Sequence, residues 1–376
     1  MKKTLVFLLL LVTASLLQAC GAATTLPPGT TSTSTSATTV TTMKTYANPV
    51  FEPVLADPSV IQGDDGYYYV FGTQDYGQWN GAYGTKYVPI LRSADLVTWE
   101  YAGSAFTMAT RPIWGTANAG LWAPHVVKLG DVYNLYYSLS TWGDPNPGIG
   151  VATAVSPLGP WTDHGKLFDS NSIGVNNSID PDVFVGADGH VYMVWGSFRG
   201  IYGVELTSDG LALQNPETAF DDKILLAGYE TSAPWNGSTY EGAYVIFEND
   251  YYYLFLSSGS CCDGYNSSYN VKVGRSASPL GPYVDHLGRA MTAGNRGYQV
   301  LIGSAYFAGP GHNSLIQDEA GDWWILYHAF DLSEPAYLGS TNRRSLMIDA
   351  IVWSDEGWPS VFGTMPSNRA VLAPII

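Results

Sequence analysis

The sequence predicts an all-β chain folded as a single five-bladed β-propeller. Three observations carry that reading: short aromatic strands recur five times, a turn signal precedes each, and no extended stretch shows a 3.6-residue apolar period. Composition agrees. Of 376 residues, 46% are hydrophobic, 14% aromatic and only 13% charged, with 41 Gly and 26 Tyr. That mix suits strands and tight turns and excludes global disorder. The formal charge of −16 repels phosphate backbones, so no nucleic-acid partner is expected.

The first element is an address. Lys2 and Lys3 precede an apolar run from Leu5 to Leu17, the layout of an export signal and too short to favour a permanent span. The run ends Leu17-Gln18-Ala19-Cys20-Gly21, which resembles the bacterial lipoprotein box. Residues 1–20 are therefore read as a lipoprotein-type signal peptide, with a lipid on Cys20 as the only membrane attachment; ordinary cleavage nearby is the alternative. Residues 21–45 form a Ser/Thr-rich linker that can bury nothing. Export to the cell envelope or the medium is expected, and the protein is expected to be a monomer.

Residues 46–376 carry the repeat. Its strands are Tyr67–Phe71, Val132–Tyr136, Val191–Trp195, Tyr251–Phe255 and Trp323–Tyr327. Taking the second residue of each as a mark, the gaps are 65, 59, 60 and 72 residues. Asp65-Gly66, Gly130-Asp131, Asp188-Gly189, Asn249-Asp250 and Gly321-Asp322 stand before them, so each unit begins as a strand, a tight turn and a strand. A weaker echo near Trp99, Trp161 and Tyr283 marks outer strands, with no clear copy in the third unit. Units of about 60 residues with four short strands are propeller blades.

Ten to twelve residues upstream of the marks stand Asp57, Ala123, Asp180, Glu241 and His312. Equivalent positions of successive blades surround the central channel, so three carboxylates and an imidazole are expected at one mouth of it. Asp-Pro at a strand start can be plain turn chemistry. That explanation fails for Glu241, which Gly and Ala follow, and crowded acids usually serve chemistry or a metal. Glycoside hydrolysis needs one protonated and one ionised carboxyl, and aromatic side chains offer planes for sugar rings. A calcium loop would instead gather its acids in one short segment.

From about Asn48 to Trp358 the chain resembles glycoside hydrolase family 43, specifically its endo-α-1,5-L-arabinanases. The matching segments are Ala56-Asp57-Pro58, Leu121-Trp122-Ala123-Pro124, Asn177-Ser178-Ile179-Asp180-Pro181, Tyr240-Glu241 and Gly309-Pro310-Gly311-His312-Asn313-Ser314. The resemblance implies an inverting mechanism with Asp57 as general base and Glu241 as general acid. Asp180 would tune the acid's pKa and orient the sugar. It places Trp122, Asn177, Ser197, Cys261 and Cys262 at the sugar, and His312 beneath it as one ligand of a water-rich cation, often calcium. Adjacent cysteines bond only through a strained small ring, and free thiols are the alternative. The resemblance of the stretch from Cys261 to Asn270 to an arabinanase loop favours the disulfide. His328, inside the fifth inner strand, is expected to be a buried, hydrogen-bonded histidine.

Some residues depart from the family pattern. His125 stands where many relatives have Asp, Gly242-Ala243 follow the acid, and residues 72–87 form an unusual loop at the site mouth. An exo-acting α-L-arabinofuranosidase or β-xylosidase of the same fold is the second reading. Many xylosidase-type relatives carry a further C-terminal sandwich, and the end of this sequence just past the fifth blade favours the arabinanase-like reading. A non-catalytic glycan-binding propeller is the third.

Overall fold

The computed structural model describes residues 44–79, 82–229 and 240–376. The signal peptide, Cys20 and nearly all of the linker lie outside them. Four antiparallel strands make each blade, as the repeat predicts. Blade one pairs Ser59–Gln62, Tyr68–Phe71, Ala82–Ser93 and Glu100–Phe106, with Asp75–Trp79 folding back on the third strand as a hairpin. Blade two runs through Gly120–Leu129, Val132–Ser140, Gly148–Ala154 and Thr162–Asp169. Blade three comprises Asp182–Val185, Val191–Trp195, Ile201–Leu206 and Ile224–Ala227. Blade four comprises Glu241–Glu248, Tyr251–Ser258, Asn270–Ser276 and Tyr298–Leu301. Blade five uses Phe307–Gln317, Trp323–Asp331, Ser345–Trp353 and Pro359–Val361.

The outer-strand echo holds in two of its three copies. Trp99 and Trp161 each lead directly into an outer strand, whereas Tyr283 leads only into isolated bridges of Val284 with Arg275 and Ala290. The outer strand of blade four comes later, at Tyr298. A ring of blades must bury apolar surface between neighbours, and this one does so five times. Leu91 and Leu326 share a cluster between blades one and five, Phe71 and Leu135 between one and two, and Tyr136 and Met193 between two and three. Val194 with Leu254, and Phe255 with Ile325, complete the circle. Alternate residues of each strand serve the two faces of the blade, which is why both faces read as apolar.

The ring closes through the first and last of the described strands. Thr45–Tyr46 pairs with Val371–Leu372, and Phe51 exchanges backbone hydrogen bonds with Leu346 of blade five. Asn48 adds bonds to the Ile348 carbonyl, Asp349 and Ser367.

Candidate active site

Each inner strand is kinked at an equivalent position, just ahead of Ser59–Gln62 and Asp182–Val185 and within Gly120–Leu129, Glu241–Glu248 and Phe307–Gln317. Asp57, Ala123, Asp180 and His312 adopt left-handed backbone conformations, with φ of 55°, 41°, 60° and 48°. Pairing slips between Trp122 and His125, between Glu241 and Tyr244, and between Gly311 and Ser314. A bulge of this kind bends the strand and turns successive side chains toward one space. In blade four the left-handed residue is Gly242, at φ 55°, and not Glu241. Glu241 pairs with Ser257 as Trp122 pairs with Ser138, so the acid stands one residue ahead of the register that the spacing suggests. Both residues of a bulge face the channel mouth, and the acid therefore still arrives there. A Cβ on residue 242 would come within 3.1 Å of the His312 ring, so the space is tight there and the positive φ favours glycine.

Asp57, Asp180, Glu241 and His312 line one cleft of about 970 Å³. That is ample for several sugar units. Trp122, Asn177, Ser197, Cys261 and Cys262 line the same cleft, and the two cysteines are joined as a disulfide. The trio of carboxylates is buried.

Their surroundings pull the three acids apart. Burial alone would raise Asp57, but Arg344 overrides it, helped by His312, His328 and a hydrogen bond from Thr73, and the carboxyl sits well below the ordinary range. Arg344 Nη1 is 2.9 Å from Asp57 Oδ1, and Thr73 Oγ1 donates to Oδ2 at 2.5 Å. Burial keeps His312 and His328 themselves low, which leaves Arg344 as the lasting cation beside Asp57. The Asp57 amide donates to His328 Nδ1 at 3.1 Å. His328 is thus the buried, bonded histidine that the sequence suggests, and it supports the base's left-handed backbone.

Glu241 is pushed up to about 7, chiefly by burial and further by Asp57, against a hydrogen bond from Ser197, the nearby Tyr269 hydroxyl and the charge of Arg344. Ser197 Oγ donates to its Oε2 at 2.8 Å. Asp180 is raised by burial and then by the charges of Glu241 and Asp57. Its Oδ2 accepts the Gly242 amide at 3.2 Å, which ties it to the strand of the acid. Desolvation dominates at both, and repulsion from the neighbouring acids comes next at Asp180 but ranks lower at Glu241. A carboxylate held low and one held high, facing a common cleft, have the opposed states that a base and an acid need.

Arg344, Thr73 and Tyr269 are site residues that the repeat did not reveal. Arg344 lies at the end of a hairpin in blade five, Thr73 after the second strand of blade one, and Tyr269 beyond the disulfide. His125 is buried one turn of pleat below the site. Its Nε2 bonds the Val183 carbonyl at 2.9 Å and its Nδ1 lies 3.1 Å from Asp182 Oδ1. It therefore packs against the neighbouring blade.

No group of three or more His, Cys, Asp and Glu side chains suited to a metal occurs among the described residues. His312 offers one neutral imidazole, and Asn313 and Ser314 beside it carry buried side-chain atoms without partners. That donor set fits a cation held mainly by water, with one nitrogen ligand.

The sequence model of glycosyl hydrolases family 43 matches residues 46–359. The extracellular endo-alpha-(1->5)-L-arabinanase 1 of Bacillus subtilis (strain 168) is 31% identical, over 82% of this chain and 87% of its own length. An extracellular exo-alpha-(1->5)-L-arabinofuranosidase, ArbA, of Cellvibrio japonicus is 33% identical over 73% and 80%. The solved alpha-L-arabinanase of Cellvibrio cellulosa, complexed with arabinohexaose, superposes with a TM-score of 0.70 at 28% identity, covering 82% of this chain and 96% of that one.

Proposed function

We propose, from the premise that this chain belongs to glycosyl hydrolases family 43 and is a glycoside hydrolase, that it cleaves α-1,5-linked L-arabinan within the polymer, with inversion at the anomeric carbon. Relatives named as extracellular endo-arabinanases support the substrate and the export. The observation that carries the chemistry is the opposed state of Asp57, held ionised by Arg344, and Glu241, held protonated by burial, in one cleft. Glu241 gives its proton to the leaving glycosidic oxygen while Asp57 takes one from the water that attacks the opposite face. Asp180, anchored on the Gly242 amide, orients the sugar beside the acid. Trp122 supplies an apolar plane, and Asn177, Ser197 and the Cys261–Cys262 pair complete the lining.

His312 would hold a water-rich cation such as calcium by one ring nitrogen. Bound there, such an ion would supply positive charge near the carboxylates. A lipid on Cys20 would anchor the enzyme to the envelope, the linker letting it reach polymer.

Incubation with debranched arabinan and with xylan, sizing products over time, tests the substrate and mode. Long arabino-oligosaccharides early in the digest are expected; hydrolysis of xylan alone would sink the reading. Anomeric proton signals followed in the same digest test inversion. End-acting cleavage is the second reading. It is favoured by the blade-one and blade-five hairpins meeting at the rim, where Thr341 Oγ1 donates to the Tyr76 carbonyl at 3.3 Å. Monosaccharide or disaccharide as sole early product would establish it.

A further inference from the structure

Tyr269 carries a polar atom that the mechanism above leaves unexplained. Its ring is about 1% exposed and stacks on His328, with centroids 5.7 Å apart and planes at 20°. Gly311 presses on the ring from blade five, where a Cβ would come within 2.2 Å of it. The ring is therefore fixed, and only the hydroxyl hydrogen is free to turn. That hydroxyl lines the cleft, is buried, and stands close to the Glu241 carboxylate without a hydrogen bond of ordinary geometry. Burying a hydroxyl without a partner costs about 1–3 kcal/mol, so a fold that keeps one has a partner for it at some stage.

Which partner follows from the neighbours. The charged groups acting on the phenol are, in order, Glu241, Asp180 and Asp57. Burial and these charges hold it protonated, so it is a donor and never a base. Glu241 already accepts one hydrogen bond, from Ser197 at Oε2. While it remains an acid, its other oxygen carries the proton to be donated. Once that proton leaves, the buried carboxylate needs a second donor.

We propose that Tyr269 is a positioning residue for Glu241, its hydroxyl turning onto the carboxylate as Glu241 gives its proton to the leaving group. The Glu241 proton passes to the glycosidic oxygen as that oxygen's bond to the anomeric carbon breaks. Water supplies the new bond and loses a proton to Asp57, and Tyr269 keeps its own proton throughout. The hydrogen bond grows with charge on Glu241, so it lowers the barrier without tightening substrate binding. The inference rests on the acid role given to Glu241 above.

The test compares Tyr269→Phe with wild type on an arabino-oligosaccharide and on a dinitrophenyl arabinoside, whose leaving group needs little protonation. On the oligosaccharide, kcat is expected to fall about ten- to hundredfold with KM little changed. On the dinitrophenyl substrate the rate is expected to stay within a few-fold. In a Glu241→Gln background the same substitution is expected to change nothing further on the oligosaccharide. The thermal midpoint stays or rises, because an unpartnered hydroxyl is removed and the ring retained. Equal loss on both substrates, or a loss confined to KM, would show instead that the hydroxyl binds sugar and would overturn the proposal, as would an unchanged kcat. Wild-type turnover of both substrates separates the two failures: its absence defeats the arabinan reading, whereas the Tyr269 assignment falls on the variant's pattern.

Discussion

Arg344 Nη1 lies 2.9 Å from Asp57 Oδ1, across the junction where blade five meets blade one. The guanidinium is nearly buried, and it counters the desolvation of the Asp57 carboxylate. Arg344→Met removes that charge and leaves burial to act alone. The acid limb of kcat/KM is then expected to climb toward and beyond the ordinary carboxylate range, with activity at pH 5 down at least tenfold. A pH profile of the variant measures this. An acid limb that stays where wild type has it would mean that another group keeps Asp57 ionised.

With Asp57 as the proposed base and Glu241 as the proposed acid, activity requires the first ionised and the second protonated, and their shifts set the window. Glu241, raised to about 7, predicts a fall in kcat/KM above that pH, while depressed Asp57 predicts no fall through pH 5. The same shift has a stability sign. A carboxyl raised above its unfolded value disfavours the folded state, starting near pH 4.3 and in full above 7. Glu241→Gln should therefore be more stable than wild type at pH 8, by on the order of 3 kcal/mol, and no more stable at pH 4. Denaturant titrations at the two pH values check it; a gain of equal size at both would break the link to ionisation.

Asp57→Ala and Glu241→Ala should fail differently. The first loses water activation and is expected to be inactive, by about 10²–10⁴-fold, on every substrate. The second should retain far more activity on dinitrophenyl arabinosides than on arabinan. Rates for both variants on both substrates decide the roles, and matching losses for Glu241→Ala would remove it as the acid.

Gly242→Ala adds a methyl group facing the His312 ring at a backbone angle that disfavours side chains. A loss of about 1–3 kcal/mol in stability is expected, together with lower kcat, since Glu241 and the Asp180 contact lie on either side of the change. Thermal melts and steady-state kinetics give both readouts. Wild-type behaviour would mean that the bulge relaxes without cost.

Chelation tests the cation. If His312 holds calcium, exhaustive treatment with a chelator lowers the thermal midpoint and the activity, and calcium restores both. His312→Ala should abolish the response to calcium. A chelated enzyme that melts and turns over as before would leave His312 as a packing residue only.

How much of this was legible beforehand depends on periodicity. Aromatic strands packed between blades must repeat with the blade, so Tyr68, Tyr133, Tyr192, Tyr252 and Trp324 disclosed the ring. Residues fixed to strand starts inherited that register, and Asp57, Asp180 and His312 were found by counting. Glu241 was found although it stands one residue off, because the count tolerates an error that a bulge can absorb. Arg344 was invisible for a different reason. It reaches Asp57 from a hairpin between the second and third strands of blade five, a place where the repeat imposes nothing. Thr73 and Tyr269 share that origin in connecting segments, whose conformation is set by tertiary packing.

The pairing of Thr45–Tyr46 with Val371–Leu372 makes the ring a bracelet whose clasp is formed by its two extremities. Synthesis delivers those halves more than three hundred residues apart in time, so the circle can fasten only after nearly everything else has been made. Until then the flanks of blades one and five, bearing Leu91, Leu326 and their neighbours, stand open to solvent. An unfinished or clipped chain would therefore carry a greasy, adhesive gap where the mature enzyme has a seam.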